Sequence, residues 1–305
     1  MMLVTGASGL LGSNLVLTAA ERGLPLVATY GRRTTRLPCA RNVALDLLEE
    51  EATRQLFDSI RPTWIVHCAA ATDVDWCEAN PDEAYRINAD VPRRLALIAS
   101  ELDARLVFIS TDSVFDGHHG SYDESQEPSP VNVYAQTKVI AEAFVATGAP
   151  ANLVIRTNFF GWSPAGRHGL AEWVVSRLES GLPVPAFFDV RFSPLLVTDL
   201  AHLILDMIAA GLRGLYHVTA SDSCTKYEFA IKLAQYLGFD PAGVRRSSVE
   251  AAGFPAERPR DTSLQTRKIT GDLGKPMPLV GSCIERLRVQ RDLGYRDVLR
   301  ATIGE

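Results

Sequence analysis

A chain of 305 residues with 31 basic and 36 acidic side chains, net charge −5, and 47% hydrophobic residues has the composition of an ordinary globular protein with a sizeable core. That balance argues against nucleic-acid binding, because the local basic pairs Arg32-Arg33 and Arg245-Arg246 belong to no longer basic run and read as surface faces. No apolar run approaches the length needed to cross a bilayer and no basic leader precedes the first strand, so no membrane contact is expected and the expected location is cytoplasmic.

Apolar runs of strand length recur at Met2–Thr5, Leu26–Tyr30, Trp64–Ala69, Leu106–Ser110 and Leu153–Arg156. Between them, helical periodicity covers Leu10–Arg22, Glu49–Ile60, Pro81–Leu102 and Val131–Thr147. Strands that alternate with helices predict a parallel sheet with crossovers on both faces, a doubly wound α/β (Rossmann-type) fold. After about residue 160 the pattern loosens. The turn-rich segment 161–166 leads to a helix at Trp173–Leu178 and a strand-like Pro183–Phe188, then Phe192–Leu196, a helix at Thr198–Ala210 and a strand at Leu215–Thr219. The expected organisation is a dinucleotide-binding domain over 1–160, with 190–222 rejoining its sheet, and a smaller discontinuous substrate lobe from 161–189 and 223–305. Five cysteines at irregular spacing (Cys39, Cys68, Cys77, Cys224, Cys283), with no Cys-x-x-Cys and no paired histidines, suggest reduced thiols, with neither a disulfide framework nor a metal site.

The first strand runs into Gly6-Ala7-Ser8-Gly9-Leu10-Leu11-Gly12 and then a helix, which is how a dinucleotide pyrophosphate is held. Gly6 permits the turn, Gly9 lets the backbone approach the phosphates and Gly12 allows close helix packing, so residues 6 and 8–12 are the candidate phosphate loop. An NAD-selective site carries an acid at the end of the second strand. This chain reads Tyr30-Gly31-Arg32-Arg33 there, and two arginines suit a 2′-phosphate, so NADP is favoured with NAD as a second possibility.

Tyr134 and Lys138 stand four residues apart in Val133-Tyr134-Ala135-Gln136-Thr137-Lys138 and therefore share one face of a helix. A chance pair on an amphipathic helix is the alternative. As a functional pair, the ammonium would lower the tyrosine pKa and bind the nicotinamide ribose while the phenol moves a proton. Upstream, Ser110-Thr111-Asp112 ends a buried strand at the carboxyl edge of the sheet, where ligands sit, so Thr111 is expected to meet the substrate.

Together these residues resemble the extended short-chain dehydrogenase/reductases, and within them the dTDP-4-dehydrorhamnose reductases and their relatives. The distinctive stretches are Ser110-Thr111-Asp112-Ser113-Val114-Phe115-Asp116-Gly117, Tyr122-Asp123-Glu124 and Pro130–Lys138. The resemblance implies cofactor contacts at Asp46 and Leu47 on the adenine side, at Ala69, Ala70 and Ala71 after Cys68, and at Ser110, with Asn88 as a structural asparagine. It also implies a nucleotide-sugar pocket from Thr72, Thr111, Asp112, Ser113 and Phe159, with Arg258-Pro259 and Leu264-Gln265-Thr266 as a carboxy-terminal nucleotide-sugar segment. The implied reaction is reduction of a 4-keto group on a nucleotide-linked deoxysugar, with Thr111, Tyr134 and Lys138 catalytic; a homodimer is an open expectation. Ser113 and Phe159 depart from the family's usual tyrosine and tryptophan, which alters the aromatic wall of the sugar pocket and with it the epimer or sugar accepted.

Two rivals share the fold. A sugar-nucleotide dehydratase or epimerase has the same tyrosine–lysine pair, but Ser113 cannot act as the general acid that a dehydratase's glutamate provides. A catalytically idle NADP-binding module, similar to the regulatory subunit of methionine adenosyltransferase, carries nearly the same motifs.

Overall fold

The computed structural model describes residues 1–38, 40–149, 151–166 and 169–304, so Cys39 lies outside the described residues. Strands β1 (Met2–Thr5), β2 (Leu26–Tyr30), β3 (Arg41–Ala44), β4 (Trp64–His67), β5 (Arg105–Thr111) and β6 (Leu153–Thr157) alternate with helices α1 (Leu10–Glu21), α2 (Glu50–Ile60), α3 (Val74–Ala79), α4 (Pro81–Tyr85), α5 (Val91–Glu101) and α6 (Val133–Gly148). The strands and the later strand Gly214–His217 form one seven-stranded parallel sheet, ordered Gly214–His217, β6, β5, β4, β1, β2, β3. This is the doubly wound order, and its switch point lies between β1 and β4.

Side-chain alternation along the strands feeds two cores. Leu3, Ile65 and Phe108 face Phe57 of α2, Leu95 of α5 and Val145 of α6. Val4, Val66 and Val107 face the other side, with Leu15 of α1 and Leu200 of helix Val197–Ala209. Helices Leu170–Glu179, Lys226–Leu237 and Val280–Asp292 send Val174, Phe229 and Ile284 into that same second core.

Among the later strands of the described residues, only Gly214–His217 joins the central sheet. Val184–Phe187 pairs in parallel with Val244–Ser247, and Arg191–Phe192 pairs antiparallel with Cys224–Thr225. Single bridges then tie Arg191 to Asp261 and Tyr122 to Leu264, stitching the segment after Arg258 onto the loop that follows β5.

The region expected as one helix over Pro81–Leu102 is interrupted by a π-helical turn at Arg86–Asp90, where the Val91 N–H reaches back to the Arg86 carbonyl. The cause is Pro92, which has no N–H to offer and whose ring crowds the carbonyl four residues back. The wider turn carries the buried Asn88, whose amide accepts from the Ala71 N–H at 2.8 Å and donates to the Ala71 carbonyl at 2.9 Å and to the Thr137 hydroxyl at 3.3 Å. Asn88 thus fixes the end of β4 against α6. Asn88→Ala is expected to lower stability by about 1–3 kcal/mol, since it leaves the half-buried Ala71 N–H and carbonyl without their partner. The check is a thermal melt, in which a Tm drop of several degrees is expected and an unchanged Tm would show that Ala71 is held by other contacts.

Candidate active site

A cleft of about 930 Å³ opens beside the carboxyl ends of β1, β2, β3 and β4. Its walls include Gly6 and Ser8, Arg32 and Arg33, Asp46 and Leu47, and Ala69, Ala70, Ala71 and Thr72. The sequence had placed Thr72 with the substrate, whereas here it continues the cleft wall that Ala69–Ala71 begin. Gly6 has φ +67°, and a Cβ there would lie 2.6 Å from the Ala69 nitrogen, so only glycine allows the two strand ends to meet. A Cβ on Gly12 would lie 2.2 Å from the Gly6 carbonyl oxygen, so its absence lets α1 start directly behind the turn. Gly9, Leu10, Leu11 and Gly12 form the start of α1 rather than the cleft wall, and Leu11 is buried in the core.

The residues present fit a dinucleotide. Helix α1 has Gly9 as its N-cap, with no side-chain cap bond and no acid in its first turn, which leaves its first N–H groups and the positive end of its dipole available to a pyrophosphate. The buried His67 also lines the cleft. Its Nδ1 is 2.7 Å from the Thr5 hydroxyl and its Nε2 has no hydrogen-bond partner among the described residues. Burial, helped by the nearby Lys138 charge, pushes the imidazole down to about 3, so it is neutral. Asp46 accepts the Leu48 N–H at 3.0 Å, which fixes the turn in this wall of the cleft.

Beside the cleft, the Thr111 hydroxyl at the end of β5 lies next to the Tyr134 hydroxyl, close enough to act on the phenol's pKa. Asn132 caps α6 by accepting the Ala135 N–H at 2.9 Å and donates its amide to the Glu257 carbonyl, so the helix that carries Tyr134 starts at a fixed place. Lys138, one turn on and 3% exposed, donates to the Ile109 carbonyl at 2.7 Å and lies 4.1 Å from the centre of the Phe108 ring. Burial pushes its pKa down to about 7, although Glu142 and Cys68 oppose the shift.

The expected lowering of the tyrosine pKa is not what the geometry gives. Burial raises it above the ordinary phenol value, the Thr111 hydroxyl opposes this, and the charges of Asp112 and Cys77 raise it further. Tyr134 is therefore a neutral phenol near pH 7, ready to donate a proton. Ser110, expected at the cofactor, turns its hydroxyl to Glu142 at 2.5 Å, and Glu142 pairs with the buried Arg156 at 2.7 Å.

Asp112 is 1% exposed and accepts four hydrogen bonds, from Thr111 at 3.2 Å, Ser113 at 3.3 Å, Asn158 at 3.0 Å and Thr262 at 2.7 Å. Burial raises its pKa, and the bonds from Thr262, Asn158 and Thr111 and the charge of Lys226 hold it down. Ser113 also donates its N–H to the Thr111 hydroxyl at 3.1 Å. Phe159 follows Asn158 on a two-residue strand and is half-buried against the second core. Sequence reasoning missed His67, Asn158, Thr262 and Lys226. A histidine ending a strand beside a cleft was a usable signal, whereas Thr262 lies 150 residues from Asp112 and carried none.

A glycine-turned dinucleotide cleft beside a threonine, a tyrosine and a lysine at the carboxyl edge of a doubly wound sheet defines the short-chain dehydrogenase/reductase class. Residues 1–287 match the family described as the RmlD substrate binding domain, and the chain belongs to that family. It is 33% identical over 279 residues, 90% of this chain and 93% of the relative, to the probable low-salt glycan biosynthesis reductase Agl14 of Haloferax volcanii. It is 32% identical over 268 residues, 86% of this chain and 83% of the relative, to a dTDP-4-dehydrorhamnose reductase of Mycobacterium tuberculosis. The crystal structure of dTDP-4-dehydrorhamnose reductase from Bacillus anthracis in complex with NADP is similar at a TM-score of 0.85 and 30% identity, over 95% of this chain and 98% of that one.

Proposed function

We infer that this chain reduces the 4-keto group of a nucleotide-linked deoxysugar, in the manner of a dTDP-4-dehydrorhamnose reductase, with NADPH as its cofactor. The observation that carries the reading is the Tyr134 phenol, neutral and beside the Thr111 hydroxyl, next to the glycine-turned cleft. The chemistry supplied by bound NADPH is hydride donation to the keto carbon. Tyr134 donates its proton to the oxygen on which negative charge develops, and Thr111 holds that oxygen in line with the phenol. Lys138, fixed by the Ile109 carbonyl one helical turn from Tyr134, binds the cofactor ribose. Gly6, Ser8 and the first residues of α1 hold the pyrophosphate, while Asp46, Leu47 and Ala69–Ala71 line the adenosine side.

The domain reading goes with this assignment. Residues 1–160 and 190–222 would bind the dinucleotide, and 161–189 and 223–305 would close over the sugar. The bracing of the loop after β5 by Asp261, Thr262 and Leu264 supports it. No helix among the described residues is long and apolar enough to cross a membrane, and the protein is read as cytoplasmic; a homodimer is checked by light scattering.

The test is NADPH absorbance decay with enzymatically prepared dTDP-4-keto-6-deoxysugar, run with and without a 3,5-epimerase. Decay that depends on the sugar is expected. Tight NADPH binding with no decay on any nucleotide-linked keto sugar would overturn the reading in favour of an idle binding module. Arg32, on the rim where the cofactor's 2′-phosphate would lie, gives a second check. Arg32→Ala is expected to weaken NADPH binding by roughly tenfold or more, the value of one charge-assisted hydrogen bond, with NADH affinity nearly unchanged. Fluorescence titration with both nucleotides reads the difference.

A further inference from the structure

A nucleotide sugar brings a diphosphate, so the site that receives it needs positive charge not already neutralised by protein carboxylates. Around the mouth of the candidate active site, most of the basic side chains are committed elsewhere. Arg258 pairs with Asp75 at 2.9 Å. Arg260 pairs with Asp189 and Glu250. Arg191 donates to Ser223 at 3.2 Å and lies 3.8 Å from Glu228.

Lys226 differs from these. It is the first residue of helix Lys226–Leu237, and its backbone N–H is tied to the Val190 carbonyl at 2.9 Å. Its ammonium has no hydrogen-bond acceptor and no carboxylate within ion-pair distance among the described residues, and it rests 5.7 Å from the centre of the Phe187 ring. The strand connections place it opposite the catalytic cluster. Thr225 pairs with Arg191, the Arg191 carbonyl accepts the Thr262 N–H at 3.0 Å, and the Thr262 hydroxyl donates to Asp112. Burial lowers the lysine pKa, the field of Asp112 raises it and that of Arg258 lowers it, and no ion pair joins Lys226 to Asp112 among the described residues. Asp112 cannot use up that charge by direct contact, because its oxygens already accept four hydrogen bonds. Further out, Phe187 and Phe254 meet edge to face at 5.9 Å, forming an aromatic ledge on which a nucleobase can stack.

We propose that Lys226 is the anchor for the substrate's diphosphate, its ammonium contacting the phosphate oxygens while the keto sugar reaches inward to Thr111 and Tyr134. This rests on the nucleotide-sugar reading above. Lys226 binds the nucleotide end of a substrate whose chemistry occurs at the sugar end, so it positions the sugar by way of the nucleotide.

The test is calorimetric titration of the NADPH-loaded protein with dTDP, UDP, thymidine and uridine, for the wild type, Lys226→Met and Lys226→Arg. Methionine keeps an unbranched apolar chain over Phe187, one atom shorter, and removes the charge. The expected result for Lys226→Met is a loss of roughly 10- to 100-fold in nucleoside diphosphate affinity, with nucleoside affinity and NADPH affinity within about twofold of wild type. Lys226→Arg should recover most of the loss. Equal losses for nucleoside and diphosphate, or no loss at all, would overturn the assignment of Lys226 and leave the reductase reading intact. Failure of the wild type to bind either nucleoside diphosphate would remove the nucleotide-sugar reading together with the anchor.

Discussion

Tyr134→Phe is expected to lower kcat by about 10²–10⁴-fold, the usual range for one general acid. The variant loses only the hydroxyl, keeps the ring in the second position of α6, and leaves every residue of the cofactor cleft in place. NADPH affinity should therefore remain within about twofold of wild type, and the loss should appear in kcat and kcat/KM alike, as it does when an interaction made only in the transition state is removed. The direction of the tyrosine shift gives this prediction a second part. Because burial holds Tyr134 above the ordinary phenol value, the wild type keeps its proton across neutral pH, and the reduction rate should not fall through phenol ionisation until well into the alkaline range. A phenol lowered into the neutral range would instead give a reduction rate that declines as pH rises through 7. Because Lys138 itself titrates near 7, the phenol is followed directly: the phenolate absorbance difference between wild type and Tyr134→Phe against pH distinguishes the two, and full turnover in the phenylalanine variant would remove Tyr134 from the mechanism.

The site was legible where its residues are local in the chain. Gly6, Gly9 and Gly12 within one turn, and Tyr134 and Lys138 one helical turn apart, are patterns whose geometry follows from spacing alone. The fold was legible where strands are buried on both faces, as in β1, β4, β5 and β6. Strand β3 was missed for the opposite reason. It is an edge strand with a single neighbour, its four residues are exposed or half-exposed, and Val43 is its only large apolar side chain. The six-residue helix α3 is too short to show a period, and the π turn in the expected Pro81–Leu102 helix could be anticipated only from Pro92. The partners of Asp112 were hidden by sequence distance, since Asn158 lies 46 and Thr262 150 residues away, and only tertiary folding brings them to the carboxylate. The pKa of Tyr134 was misjudged because spacing shows that a lysine is near but not where its ammonium points, and Lys138 points to the Ile109 carbonyl.

Lys138→Met is expected to abolish most turnover, by at least about 100-fold, and yet to raise the Tm of the cofactor-free protein at neutral and mildly acidic pH. The ammonium is 3% exposed, and one carbonyl at 2.7 Å with the face of Phe108 at 4.1 Å does not replace the hydration it gives up, which is why its pKa falls from 10.5 to about 7. Below about pH 7 the lysine is charged in both the folded and unfolded chain, and the burial penalty is fully present. Between about 7 and 10.5 the unfolded chain binds more protons than the folded one, so wild-type stability from this group rises with pH. The Tm advantage of the methionine variant should therefore be largest near about pH 6, where the penalty amounts to a few kcal/mol, and shrink towards about pH 10. Melts of the two proteins across that range read Lys138 together with the groups its charge acts on, His67 and Cys68. A variant less stable than wild type at every pH would mean that the contacts of Lys138 outweigh its desolvation. The expected pattern, activity lost and stability gained, is the mark of a charge kept in the core at a stability cost for the sake of the bound cofactor and the proton beside it.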